Sequence, residues 1–178
     1  MTTAIEHAAK VLEKIKTAIQ NDSGAKADLK RALTGEPRHQ RAAYPIVLRF
    51  LSQEEVEYNL DQWLWVTGFL AYYDQNLNVD HKTNFGDSAR RLKGDNSDNS
   101  SGGPDRRFRA LLETSMEDLR SPLTSMVRLM KSKKVNINYP QLIVDLKYWS
   151  HPDQFIQDQW ARSFWPPRFN SSQEEESV

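Results

Sequence analysis

The chain has 178 residues, a length that suits one domain or two small lobes and is enough to bury a real core. Its 24 Lys and Arg offset its 24 Asp and Glu, so the total charge points to no polyanion, and only the distribution of charge can do so. The absence of cysteine excludes a disulfide scaffold, a thiolate zinc site and a cysteine nucleophile.

Ile5, Ala8, Ala9, Leu12, Ile15 and Ile19 recur at helical spacing with Lys and Glu between them. This stretch lacks the continuous apolar core of a secretory signal, and no segment is long enough to span a bilayer. A cytoplasmic location and no membrane partner are expected. Asn21 to Gly24 breaks the first helix, Ser23 is expected to cap a second through Leu33, and Gly35 stops it. Pro37 opens a third helix to Leu51, with a kink or break expected near Ala43-Tyr44 because Pro45 follows. Ser52 and Glu55 have the spacing of a capping box that launches a helix through Leu60, Leu64, Gly68 and Tyr72. That helix is apolar on most sides and is expected to be central.

Asp74 to Thr83 is polar and marks an expected boundary between an N-terminal lobe (1–75) and a C-terminal lobe (76–169). Phe85, Ala89 and Leu92 mark a short helix. The Gly-, Ser- and Asn-rich run 94–104 is expected to be a mobile loop. Helix returns around Phe108, Leu111 and Leu112. Thr114 or Ser115 is expected to cap the next helix, with Glu117 and Asp118 in its first turn and Leu119, Leu123, Met126, Val127 and Met130 on its core face. Asn138 and Pro140 signal another helix start. His151-Pro152-Asp153 is expected to begin the last helix, which Pro166-Pro167 ends. Residues 170–178 are acidic and Ser-rich, an expected disordered tail. Strand signals are nearly absent. The fold class is therefore all-α, a two-lobed helical bundle.

No motif for chemistry converges. His7, His39, His81 and His151 form no metal-ligand pair, and no phosphate loop is present, so neither a metal nor a cofactor is expected. Asp145 lies between apolar neighbours and is read as the structural partner of a nearby Arg. All five Trp fall on core stripes and are read as packing.

Charge distribution says more. Base concentrates in Lys26, Lys30, Arg31, Arg38, Arg41 and Arg49. It concentrates again in Arg90, Arg91 and Lys93, in Arg106, Arg107 and Arg109, and in Arg120, Arg128, Lys131, Lys133 and Lys134. Arginine suits phosphate because its planar fork donates two hydrogen bonds at once. A surface that tracks nucleic-acid backbone needs several such donors and no base-reading geometry.

Asn138-Tyr139-Pro140-Gln141-Leu142 through Tyr148-Trp149, followed by Gln159-Trp160-Ala161-Arg162-Ser163-Phe164-Trp165, resembles the end of the CasB family, the small subunit of the type I-E CRISPR surveillance complex, Cascade. The likeness extends upstream to Lys30-Arg31-Ala32-Leu33, Ala43-Tyr44-Pro45, Asn84-Phe85-Gly86 through Leu92, Arg106-Arg107-Phe108 through Leu112, and Glu117-Asp118-Leu119 through Leu129. Each motif is short, but their order agrees from about Gly24 to Trp165.

The resemblance implies a non-catalytic subunit, present with a second copy of itself beside the large subunit and backbone subunits. It implies partners in guide RNA and in target and non-target DNA, with the displaced strand of the R-loop held in antiviral defence. Base pairing reads sequence in such complexes, while protein holds shape and backbone. Carried over by position, the implied backbone contacts are Lys30, Arg31, Arg90, Arg91, Arg106, Arg107 and Arg128. Arg109, Lys131 and Lys133 are added from local chemistry. Lys30 departs from a pattern in which Arg is common. The alternative is a protein-only helical scaffold whose basic residues pair with acidic partners. A hydrolase built on Asp145 and a histidine has no supporting motif.

Overall fold

The computed structural model describes residues 3–78, 80–94 and 102–167. Its regular elements are helical, and no strand occurs among the described residues. Helix α1 (Ala4–Ile19) opens with a reciprocal cap, in which the Glu6 amide donates to Thr3 Oγ1 and the Thr3 amide donates to Glu6 Oε2. Helix α2 (Ser23–Ala32) is capped by Asp22 and not by Ser23, because the Asp22 carboxylate accepts from the Ala25 amide at 2.8 Å. Helix α3 (Pro37–Val47) starts on its proline as expected. Of the expected kink or break near Ala43-Tyr44, no break occurs: the helix runs through Pro45 and passes into a 3₁₀ turn, Leu48–Phe50.

The Ser52–Glu55 capping box forms, but the helix it launches is short. Helix α4 (Gln53–Tyr58) stops at Asn59, whose backbone leaves the helical region, and α5 (Leu60–Tyr72) starts afresh. Helix α5 is buried over Trp63 to Leu70 on all sides, as its sequence predicts for a central element. Before the break, Glu55 ties α4 to two other helices. Its carboxylate caps α4 through Ser52, reaches His7 Nε2 at 3.1 Å and lies 3.6 Å from Lys147 Nζ, so it fixes α4 separately against α1 and a C-terminal helix. Burial works to raise this carboxyl, but the Ser52 amide and hydroxyl, His7 and Lys147 outweigh it and hold it below the usual range.

Helix α6 (Phe85–Arg90) has an Asn84–Asp87 capping box and tightens into a 3₁₀ turn, Arg91–Lys93. Of the expected loop 94–104, residues 95–101 lie outside the described residues. Gly103 and Pro104 do not belong to a loop. They form the first turn of α7 (Gly103–Leu112), where proline needs no amide partner. Helix α8 (Arg120–Ser132) starts later than expected. Thr114 and Ser115 do not cap it, and Glu117 and Asp118 sit in the turn that precedes it. Helix α9 (Tyr139–Lys147) is capped by Asn138, which accepts from the Gln141 amide, as expected. Residues 151–153 form a turn, and α10 (Phe155–Phe164) begins only after Gln154, held at φ 49°. The tail 170–178 lies outside the described residues.

The helices share one hydrophobic core that runs from α1 to α10. Helices α1 and α5, from before residue 75, both pack on α9, from after it. Tyr139 fastens that junction: its hydroxyl donates to the Tyr73 carbonyl at 2.8 Å. Trp63, Trp65, Trp149 and Trp160 are buried and Trp165 is partly buried, so their role in packing is as the sequence predicts.

Asp145 is not the partner of an arginine. It is buried against α10, where Trp160 Nε1 donates to Oδ2 and Gln141 Nε2 donates to Oδ1, each at 2.7 Å. Burial pushes its pKa up to about 6, against the pull of those two donors. Between the ordinary aspartate value of 3.8 and about 6, the folded state keeps a proton that the unfolded state has lost. Stability therefore falls as pH rises through that window and is level above it, by up to about 3 kcal/mol. Asp145→Asn keeps the Trp160 bond and needs only a flip of the Gln141 amide. Its stability relative to the wild type is expected to climb from pH 4 to pH 6 and then level off, as read by urea denaturation at each pH. A difference that does not change with pH counts against this account.

Candidate nucleic-acid interface

The predicted basic residues divide into those that are engaged within the fold and those that are open. Lys131 is engaged. Its ammonium donates to the Tyr72 carbonyl at 2.7 Å and lies 4.1 Å from the centre of the Tyr72 ring, so it pins α8 to the end of α5. Arg31 pairs with Asp28 at 3.0 Å, one turn back on α2. Arg90 leans toward Asp87 at 3.7 Å. Both pairs are on the surface, where such contacts contribute little and exchange readily for a stronger anion. Arg109 lies 4.7 Å over the Trp165 ring, which orients its guanidinium without neutralising it.

Lys30, Arg91, Arg106, Arg107, Arg128 and Lys133 are exposed and have no acidic partner among the described residues. Their placement follows from local patterning. On α7, Asp105, Phe108 and Leu111 turn inward, which leaves Arg106, Arg107 and Arg109 on the outer face. On α8, Leu123, Met126, Val127 and Met130 are buried, and Arg128 lies opposite them. Helix α7 packs against both α8 and the 3₁₀ turn that carries Arg91, so these residues belong to neighbouring elements. Arg120, at the start of α8, lies over Gly35, beyond the end of α2. That contact joins the turn after α2 to the first residue of α8.

Lys93 behaves differently from its neighbours in sequence. It is largely buried, 3.0 Å from the buried Asp105, with its ammonium 4.0 Å from the centre of the Phe164 ring. Trp165 Nε1 donates to the other Asp105 oxygen at 2.9 Å. The ion pair joins the segment before residues 95–101 to the helix after them.

Lys16 was not among the sequence candidates, yet it lines two adjoining clefts. One, of about 380 Å³, lies along α1, α2 and α5 and is lined also by Lys26 and Lys30. The other, of about 610 Å³, is lined by Arg91, by residues from 73–78 and 80–83, and by residues from 136–140. Asp74, paired with Lys16 at 2.9 Å, belongs to both. The two basic stretches of the sequence thus meet at Lys16. On its own helix Lys16 shows only a solvent-side position, and nothing in its spacing marks that meeting.

No cluster of His, Asp and Glu with metal-binding geometry occurs among the described residues. No helix among them is long and apolar enough to cross a membrane.

No curated protein is similar to the chain. Solved structures are. The protein described as "Crystal structure of CasB from Thermus thermophilus" is 23% identical, with a TM-score of 0.71 over 90% of this chain and 98% of that one. A chain of the "CRISPR RNA-guided surveillance complex, pre-nicking" is 20% identical, with a TM-score of 0.73 over 91% of this chain and 93% of that one. "Crystal structure of CasB from Thermobifida fusca" is 17% identical, with a TM-score of 0.68 over 92% and 99%. At these identities the likeness is one of fold. The family model described as "CRISPR-associated protein Cse2" matches residues 25–165. That span runs from α2 to the end of α10 and includes every basic side chain described above except Lys16, so the chain belongs to the CRISPR-associated Cse2 family.

Proposed function

We propose that this protein is a non-catalytic subunit of a CRISPR surveillance complex that holds nucleic-acid backbone along the guide RNA–target DNA duplex and steadies the displaced DNA strand. The observation that carries the proposal is a set of six open cations in a chain with no net charge: Arg91, Arg106, Arg107, Arg128 and Lys133 on or just after the 91–93 turn, α7 and α8, where α7 contacts the other two, and Lys30 on α2. Such a set supplies phosphate contacts and no geometry for reading base edges. Its partners are guide RNA, target and non-target DNA, the large and backbone subunits, and a second copy of this chain. Membership of the Cse2 family and a fold shared with a chain of an RNA-guided surveillance complex support the assignment.

The test is salt. Binding to single strands of unrelated sequence is expected to weaken linearly in log–log form as salt rises. Six phosphate contacts give a slope of about −4 on a single strand. Affinity that is level between low and high salt would overturn the proposal. Co-purification with tagged neighbouring subunits, bringing RNA with them, tests the complex itself. A scaffold that uses its arginines only on acidic protein neighbours would bring the subunits without binding free strands.

A further inference from the structure

We infer that the cleft at Arg91 takes a single unstacked nucleotide, so that the strand held along the basic surface is gripped by one base as well as by its phosphates. The inference rests on the backbone-binding proposal above and adds a base site to it.

The cleft, about 610 Å³, falls within the range of small-molecule sites. Its walls are fixed by bonds between distant parts of the chain. Gln75 Oε1 accepts from the Ile137 amide at 2.8 Å, and Ser88 Oγ donates to the Asn136 carbonyl at 2.7 Å. Asn138 Nδ2 donates to the carbonyls of Asp80 and Thr83 at 2.7 and 2.9 Å. Lys16 donates to the Gln75 carbonyl at 2.7 Å. A cleft built this way exists before a ligand arrives, so binding does not have to order it.

Its carboxylates are already engaged. Asp74 is paired with Lys16, and Asp80 accepts from the Lys82 amide and the Thr83 hydroxyl, bonds that hold it below the usual carboxylate range. The remaining polar groups are open. Asn76, Asn78 and Asn136 are exposed in the lining and make no side-chain hydrogen bond among the described residues. Gln75 Nε2 is covered by protein and has no acceptor, so it is not among the groups open to the cleft.

The pairing of open groups is what selects the ligand. A carboxamide donates and accepts side by side, the pattern that matches the polar edge of a base. Arg91 is a phosphate fork in the same lining, without an acidic partner among the described residues. Tyr73 contributes an aromatic residue of the type on which unpaired bases stack. Through Lys16 the cleft opens onto the groove that carries Lys26 and Lys30. A nucleotide is the small unit whose two halves need both an amide set and a guanidinium. A paired base has its edge occupied, so the site takes a nucleotide from a single strand.

The test compares a single-stranded oligonucleotide with its abasic counterpart of equal length, each in deoxy and ribo form, on the full-length protein. The base-bearing strand is expected to bind about tenfold more tightly than the abasic one. Asn78→Ala with Asn136→Ala, both exposed, is expected to erase that preference and leave abasic binding as it was. Preference in the deoxy or the ribo series identifies which strand the site serves. Equal binding of base-bearing and abasic strands would overturn the cleft and leave the backbone proposal standing, and so would a preference that survives the double substitution. If no strand binds at all, both fall.

Discussion

Arg106→Ala with Arg107→Ala and Arg128→Ala is expected to weaken binding to single-stranded nucleic acid by about a hundredfold near physiological salt. The estimate takes about 1 kcal/mol for each lost charge-assisted contact. The log–log salt slope is expected to become shallower by about 2, since three fewer counterions are displaced from a single strand. Loss should be uniform across sequences, because these side chains meet backbone and not bases. Folding should be barely touched. All three arginines are exposed and without acidic partners among the described residues, and surface changes of this kind stay within about 0.5 kcal/mol. Titration of a labelled strand at several salt concentrations, beside a melting curve, reads both quantities. If the variant instead keeps its affinity for strands and loses its place among neighbouring subunits, the arginines belong to a protein scaffold.

Gly86→Ala should have the largest effect on the fold itself. A Cβ placed on Gly86 comes within 2.2 Å of the Trp160 carbonyl oxygen and 2.9 Å of its Cα, all of it backbone of the facing helix. Neither rotamer change nor a flexible tip can relieve that contact, so α10 must move as a body. It carries Trp160, whose ring packs on Phe85 and Trp149, each at 4.9 Å between centroids, and whose Nε1 serves Asp145. A cost of about 3 kcal/mol or more is expected, at the upper end of overpacking changes. For a chain of this size it corresponds to a melting point lower by about 10 °C. Gly103→Ala is the control. Apart from its chain neighbours, nothing lies within 4 Å of its Cβ, so the same substitution there should cost only the small penalty that Pro104 puts on a helical residue before it. Equal melting points for the two variants would show that the α6–α10 crossing is looser than described.

What the sequence shows and what it hides divide along a physical line. Local codes are legible. The Ser52–Glu55 box, the Asn138–Pro140 start and the Pro37 start all form where the spacing puts them, because a cap is decided by residues within one turn. The core faces of α1 and α8 are legible from their period. Boundaries set by tertiary contacts are not. Nothing around Asn59 announces the one-residue break between α4 and α5, or that Glu55 just before it reaches His7 and Lys147. Asp145 looks like half of an ion pair because an isolated carboxylate among apolar residues usually is. Only the approach of α10 shows that an indole and an amide serve it.

The basic surface is legible as composition and not as geometry. A run of cations does not tell Lys93, buried on an aspartate, from Arg91, open in a cleft two residues earlier. Nor does it tell Lys131, spent on a carbonyl, from Arg128, one turn away and free of acidic partners among the described residues. The resemblance to the CasB family covers Arg91 and Arg128 and stops at Leu92 and Leu129, short of Lys93 and Lys131.

The Lys93–Asp105 pair has one more consequence. With Trp165 beside it, it ties the 3₁₀ turn to the start of α7, so the two ends of the intervening segment are held together by contacts outside it. Doubling a closed segment of this kind costs only about 0.6 kcal/mol. Length can therefore drift there during evolution, or be extended by design to display a foreign peptide, while the arginines on both flanks stay in register.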